Sequence, residues 1–211
     1  MKRKRILALF LAAVSCLSLA VSASAAGTTT RKATDFKDYD RTAWYAEAVS
    51  AAVDNGLLYG KSATVIDPNG DMTRAEMAAI INRSFGCYVK ADISKYKDVS
   101  KDKWYFEDVA MAVQMGTYNG RSNTAMAPDA PITRQEAMAV VARALELDYD
   151  SYSKTDLSAF SDRSEISNWA LPYVRAMVGA DYIHGRGKIL APQDNITRAE
   201  FAQIFYNIIG T

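Results

Sequence analysis

A four-residue pattern recurs three times along the chain: Thr73-Arg74-Ala75-Glu76, Thr133-Arg134-Gln135-Glu136 and Thr197-Arg198-Ala199-Glu200. Thr followed three residues later by Glu is a capping box. The hydroxyl accepts from a free backbone N–H of the first helical turn, and the carboxylate accepts from the N–H of the Thr. Apolar residues at helical spacing follow each copy: Met77, Ile80 and Ile81; Met138, Val141 and Leu145; Phe201, Ile204, Phe205 and Ile208. Each box is therefore expected to start an amphipathic helix.

The Arg inside each box falls in the first turn, at the positive end of the helix macrodipole. A cation there is unfavourable by roughly 0.3–1 kcal/mol on an exposed surface. Two explanations fit three such placements. The guanidinium and the free N–H groups could form a joint anion receptor, or a duplicated Arg could pair with a nearby carboxylate.

Other landmarks repeat in step with the boxes, which stand 60 and 64 residues apart. Asp38, Asp98 and Asp162 each follow an aromatic residue by two positions. Trp44, Trp104 and Trp169 come next, and Gly60, Gly120 and Gly185 lie 16 residues beyond each Trp. Pro68, Pro128 and Pro192 then lead into the boxes. Each unit reads as a first helix beginning at the Trp, a loop, and the boxed helix. Gly56 and Gly116 suit the ends of the first two leading helices, because glycine takes the left-handed conformation at little cost. The third unit has Asp181 at that point. Two short helices cannot bury both apolar faces alone, so the units must pack on one another, as a ring or as a short solenoid.

Lys2 to Arg5, the apolar run after them and Ala23-Ser24-Ala25 form a secretory signal peptide over residues 1–25, which is an address rather than structure. Ala13-Val14-Ser15-Cys16 weakly resembles a lipoprotein cleavage site, but the apolar run continues past Cys16 and ends at the better signal Ala23-Ser24-Ala25. Removing it takes four positive charges and no acids, so the net charge goes from +1 to −3. That balance argues against nucleic-acid binding. No later run is long and apolar enough to span a membrane. The mature chain keeps one cysteine, Cys87, so no internal disulfide is possible and the fold rests on its core. Residues 26–35 read as a leader, and the units as 36–86, 96–146 and 160–211. The linkers are residues 86–95 and 147–159, the second polar, turn-prone and expected to be mobile.

The order aromatic-x-Asp, Trp, Gly, Pro and Thr-Arg-Ala-Glu resembles the surface-layer homology (SLH) domain, in three tandem copies spanning nearly all of the mature chain. The resemblance implies an all-α fold in which three helix-loop-helix repeats close into a pseudo-threefold trimer around a central helical bundle. It implies a secreted, cell-wall- or S-layer-associated protein whose inter-repeat grooves bind secondary cell wall polymer through a pyruvylated amino sugar. Carried over by position, the family's groove Arg falls on Arg74, Arg134 and Arg198, its leading Asp on Asp38, Asp98 and Asp162, and its Trp on Trp44, Trp104 and Trp169. Met72 and Gln135 depart from the usual Ile and Ala. Asp181 and the longer second spacing make the third unit, and its groove, the least typical.

Residue chemistry supports an acidic-sugar site. Lys61, Arg121 and Arg186 directly follow the loop glycines Gly60, Gly120 and Gly185, so each unit offers two basic side chains near bare backbone. A guanidinium meets a carboxylate with two parallel bonds. Solvated loop cations are the plainer alternative. As first-turn residues the Trp side chains are expected in the core more than on a sugar, although an indole can line a groove with its edge. The Asp residues could accept from sugar hydroxyls or orient the Arg. Replacing the boxed Arg by Ala is then expected to weaken wall binding and leave the helical fold intact. No cofactor, metal or catalytic residue is assigned. The lone His184 aligns with Tyr59 and Asn119, and no metal-ligand spacing or nucleophile-base set stands out, which disfavours a wall-active hydrolase. A helical adaptor for another surface protein is the main alternative. With no sequence beyond Thr211, the chain is read as holding a partner non-covalently or occupying the polymer itself.

Overall fold

A computed structural model describes residues 31–210. The signal peptide and most of the leader lie outside the described residues. Among the described residues six α-helices alternate in pairs: α1 Ala46–Asp54, α2 Arg74–Phe85, α3 Phe106–Gln114, α4 Arg134–Ala144, α5 Leu171–Gly179 and α6 Arg198–Gly210. Two single 3-10 turns, Ala33–Asp35 and Arg163–Glu165, complete the helical structure of the described residues. The described residues contain isolated β-bridges but no β-strand. The all-α class expected from the repeats is what forms.

The boxes start α2, α4 and α6. In the first two, the Thr hydroxyl accepts from the Glu N–H and the Glu carboxylate accepts from the Thr N–H. The same reciprocal pair joins Thr197 and Glu200. Gly56 and Gly116 follow the ends of α1 and α3 with φ of 66° and 77°, as expected. Asp181, at the corresponding point after α5, takes the same left-handed conformation at 64°. The backbone turn is thus kept where the glycine is not.

Packing shows why single repeats cannot stand alone. Each leading helix packs on the boxed helix of the repeat before it: α3 on α2, α5 on α4, and α1 on α6. The last of these contacts joins the two ends of the chain, so the units close into a ring and do not stack as a solenoid. The boxed helices are buried almost all round. Met77, Ala78 and Ile81 of α2, Met138 and Val141 of α4, and Phe201 and Ile204 of α6 are all within a few per cent of fully covered. They are the central elements of one continuous core.

A small backbone cycle seals the ring. The residue before each box donates to its counterpart in another repeat: Met72 to Ile196, Ile196 to Ile132, and Ile132 to Met72, each at 3.0 Å. All three side chains are buried, so Met72 fills an Ile position without loss of contact. The N–H of Arg74 donates to Ala130 and that of Ala75 to Pro128. The same pairs recur from Arg134 and Gln135 to Asp194 and Pro192, and from Arg198 and Ala199 to Gly70 and Pro68. The first-turn donors that ordinarily face solvent are thereby consumed by the loop of the next repeat. The expectation of bare backbone at these helix starts is overturned.

Gln135, at the usual Ala position, is buried because its amide is matched at both ends. It accepts from Ser167 N at 3.0 Å and donates to Ser167 Oγ at 3.0 Å and Gln193 Oε1 at 3.2 Å. The linker over 147–159 is a run of hydrogen-bonded turns rather than an open tether. Leu157 is buried, and Tyr149 sits edge-on to Tyr173 with ring centres 5.0 Å apart.

Candidate binding site

The boxed Arg side chains are the most buried charges among the described residues, at 3–6% exposure. Each Nε donates to a backbone carbonyl of the next repeat: Arg74 to Met126 at 2.8 Å, Arg134 to Leu190 at 2.7 Å, and Arg198 to Ile66 at 2.9 Å. Each guanidinium also leans on the box Glu of that repeat. Arg134 Nη1 lies 3.1 Å from Glu200, Arg198 Nη1 3.5 Å from Glu76, and Arg74 Nη1 3.7 Å from Glu136. Burial lowers the pKa of all three, against the opposing pull of the neighbouring Glu or Tyr. An Arg remains protonated despite such a shift. Of the two explanations of the boxed Arg, the geometry realises the pairing with a carboxylate, since the first-turn N–H groups are already taken. The Arg thereby bolts one repeat to the next, while its outer edge reaches a groove.

The loop cations converge on the same Glu. Lys61 lies 2.6 Å from Glu76, Arg121 3.2 Å from Glu136 and Arg186 2.6 Å from Glu200. Each junction thus holds one carboxylate between two cations from different repeats. Burial alone raises the Glu200 pKa, but Arg186, the Thr197 backbone and Arg134 outweigh it and hold the carboxyl below its usual range. Glu76 is held down in the same way by Lys61, Thr73 and Arg198.

The leading Asp residues sit behind this wall. Asp38 accepts from Ile66 N and Asp67 N at 2.9 and 2.7 Å. Asp98 does so from Met126 and Ala127, and Asp162 from Leu190 and Ala191. Ile66, Met126 and Leu190 are the residues whose carbonyls receive the boxed Arg. Each Asp therefore fixes the peptide on which the Arg of the preceding repeat docks, and its oxygens are occupied by backbone. The loop glycines are needed for close approach. At Gly120, with φ of 73°, an added Cβ would sit 2.8 Å from the Ser122 carbonyl oxygen.

Trp44, Trp104 and Trp169 are 63%, 62% and 50% exposed, which corrects their expected place in the core. The leading helices begin after them, and the next residue takes the inward position: Tyr45, Tyr105 and Ala170 are buried. Trp44 and Trp104 stand edge-on against these tyrosines, with ring centres 5.5 and 5.4 Å apart.

Two clefts open where these groups meet. One, of about 280 Å³, is lined by Arg74, Gly120, Arg121, Glu136, Arg143 and Trp169. The other, of about 310 Å³, is lined by Trp44, Arg134, Gly185, Arg186, Glu200 and His184, with Gln203 and Asn207 beside them. Each cleft takes its loop from one repeat, its bolt Arg from the repeat before and its Trp from the repeat after. The atypical third unit thus contributes its loop to a well-formed cleft. The clefts differ in charge. The first sets three guanidinium groups against Glu136. In the second, Asp194 also pairs with Arg186 at 2.6 Å, and His184 pairs with Asp181 at 3.1 Å. At the remaining junction, Lys61, Glu76 and Arg198 form the same triad, and Arg83 stacks on the Tyr59 ring at 4.2 Å.

Some of the lining was not singled out from the sequence. Arg143 bonds the Thr117 carbonyl at 3.2 Å and the Tyr173 hydroxyl at 3.1 Å. Tyr118 donates to the Arg74 carbonyl at 2.9 Å and lies under its guanidinium at 5.1 Å. Arg83, Arg143 and Asn207 all stand ten residues after a box Thr. That fixed offset was the available signal. Among the described residues no group of three or more His, Cys, Asp or Glu could hold a metal ion, and no helix is long and apolar enough to cross a membrane. Cys87 is half-buried, its thiol directed at the Met111 and Val89 carbonyls.

A closed ring of three helix-loop-helix units, with charged, aromatic-edged clefts where the units meet, defines a repeat-built binding module. The chain belongs to the S-layer homology domain family, which it matches over residues 35–78, 95–138 and 159–202. It is 34% identical over 182 residues to the surface-layer 125 kDa protein of Lysinibacillus sphaericus, covering 84% of this chain and 15% of that protein. It is 30% identical over 200 residues to an amylopullulanase of Thermoanaerobacterium thermosulfurigenes, covering 88% and 11%. It is 24% identical over 168 residues to the S-layer protein sap of Bacillus anthracis, covering 80% and 20%. The chain therefore spans a fifth or less of the length of these relatives. Family and relatives mark it as a secreted, cell-wall- or S-layer-associated protein and as a cell-envelope attachment module.

Proposed function

We propose that this chain attaches to the cell envelope by seating a pyruvylated residue of secondary cell wall polymer in its inter-repeat clefts, without catalysis. The observation that carries this reading is the cleft of about 280 Å³ in which Arg74, Arg121 and Arg143 face a single carboxylate, Glu136, beside the exposed Trp169. The net positive charge is local, set in a chain that is acidic once its signal peptide is removed, so it favours a single anionic group over an extended polyanion. A pyruvate ketal supplies one carboxylate on a sugar ring, with an apolar sugar face for the indole. The loop residues Gly120 and Arg121 bring backbone and charge close to it. In this reading Arg74, Arg134 and Arg198 act mainly by positioning the cleft walls, and Asp38, Asp98 and Asp162 by holding the carbonyls those arginines grip.

Co-sedimentation tests this. The protein should pellet with purified cell walls and stay in the supernatant with walls whose pyruvate ketals have been removed by mild acid. Equal pelleting with both preparations would favour an adaptor for another surface protein, and release of soluble glycan fragments would favour a hydrolase.

A further inference from the structure

The third repeat carries a cationic depression away from the junction clefts, formed where the linker of residues 147–159 meets α5 and the 3-10 turn Arg163–Glu165. Its volume is about 550 Å³, and its polar lining is Lys154, Thr155, Asp156, Ser158, Arg163 and Arg175. Three cations face one acid. Both oxygens of Asp156 are already engaged by Ser158, from its N–H at 2.8 Å and its hydroxyl at 2.7 Å. Arg175 Nε is buried and, among the described residues, has no hydrogen-bond partner. A buried donor left in that state needs an explanation, and the guanidinium that carries it lines the depression.

The sister repeats show that this charge is particular to the third unit. Counted from the leading Asp, Arg163 stands where the other repeats have Tyr39 and Val99. Counted from the Trp, Arg175 stands where they have Ser50 and Ala110. Val99 and Ala110 are both buried core residues. Lys154 corresponds to Lys90, which is neutralised by Glu107 at 2.5 Å. In the third repeat the position of Glu107 is taken by Pro172. Two positions that are apolar in the second repeat are arginine in the third, and the acid that would balance the lysine is gone.

We infer that this depression is a second anion site, distinct from the junction clefts, and that it takes a phosphate group. Two guanidinium forks and an ammonium supply more donors than one carboxylate can accept, whereas a tetrahedral phosphate has oxygens for all of them. The net charge of the lining, +2, matches a phosphate monoester dianion. The Thr155 hydroxyl lies in the same lining and can add a further bond.

NMR on the full mature chain, following the Arg Nε–H signals, tests the site. Inorganic phosphate and glucose 6-phosphate are the probes. Either should shift the Arg175 and Arg163 signals saturably. Equal affinities mean that the site reads phosphate itself, and tighter binding of the sugar ester means that it reads the end of a phosphorylated glycan. The Arg163→Val, Arg175→Ala double variant, which installs the residues of the second repeat, should fold with an unchanged melting temperature and bind at least tenfold more weakly. The inference fails if neither probe shifts these signals, if the double variant binds as well as the parent, or if the saturable shifts fall on Arg74, Arg121 and Arg143 instead.

Discussion

Replacing Arg134 by Ala should destabilise the whole module by about 3 kcal/mol. The side chain is almost fully covered, and its removal strips the Leu190 carbonyl of a charged donor and Glu200 of one of its two cations. Losing a hydrogen bond to a charged group costs roughly 1.5–3 kcal/mol, and breaking a buried ion pair roughly 3–5 kcal/mol. Arg186 stays beside Glu200 and keeps the loss toward the lower figure. For a domain of this size about 3 kcal/mol lowers the melting temperature by roughly 6–12 °C. Arg121→Ala is the control, because that side chain is 42% exposed and its pair with Glu136 is a surface one. Its cost should stay below about 1 kcal/mol. Thermal unfolding of the two variants by circular dichroism separates them. This expectation departs from the one drawn from the sequence, in which the boxed Arg could be removed with the fold intact.

The reason for that difference shows how far the sequence could be read. The three boxes, their helices, the repeat spacing and the all-α class were legible because they depend on local patterns: a cap four residues long and apolar residues at helical intervals. Ring closure was carried by the family resemblance alone and not by the helical pattern, since it rests on contacts such as α1 with α6 and on the backbone cycle of Met72, Ile132 and Ile196, which no periodicity encodes. Closure is also what fills the helix starts. Once Ala130, Asp194 and Gly70 accept the first-turn N–H groups, the anion receptor imagined at each box becomes a joint, and the proposed recognition rests instead on the loop cation and the Trp. The Trp itself was misplaced by one residue of register. Periodicity says that an aromatic begins the leading helix, but Tyr45 and Tyr105 take the inward position and turn Trp44 and Trp104 out. The Asp residues were read as a choice between ligand contact and Arg orientation. The structure joins them to the Arg through a shared peptide.

The largest effect on binding is expected from the exposed indoles. The Trp44→Ala, Trp169→Ala double variant removes the aromatic edge of both described clefts. Truncating an aromatic anchor typically costs about 2 kcal/mol or more at its own site, roughly thirtyfold in affinity. A polymer gripped at two clefts loses avidity as well, so wall binding should fall by about two to three orders of magnitude. Stability should change by less than about 1 kcal/mol, because both side chains are largely in solvent and only Trp44 has an edge contact, to Tyr45. Binding isotherms on purified walls, set beside melting curves, check both halves. A stable variant with undiminished binding would place recognition elsewhere on the ring.

Soaking crystals of the protein with a pyruvylated amino-sugar disaccharide tests the cleft directly. The expected result is a ligand carboxylate within hydrogen-bonding distance of the Gly120–Arg121 loop, with the sugar ring against Trp169. A ligand bound only away from the junctions, or no ligand at saturating concentration, would contradict the claim that closing the ring is what builds the binding site.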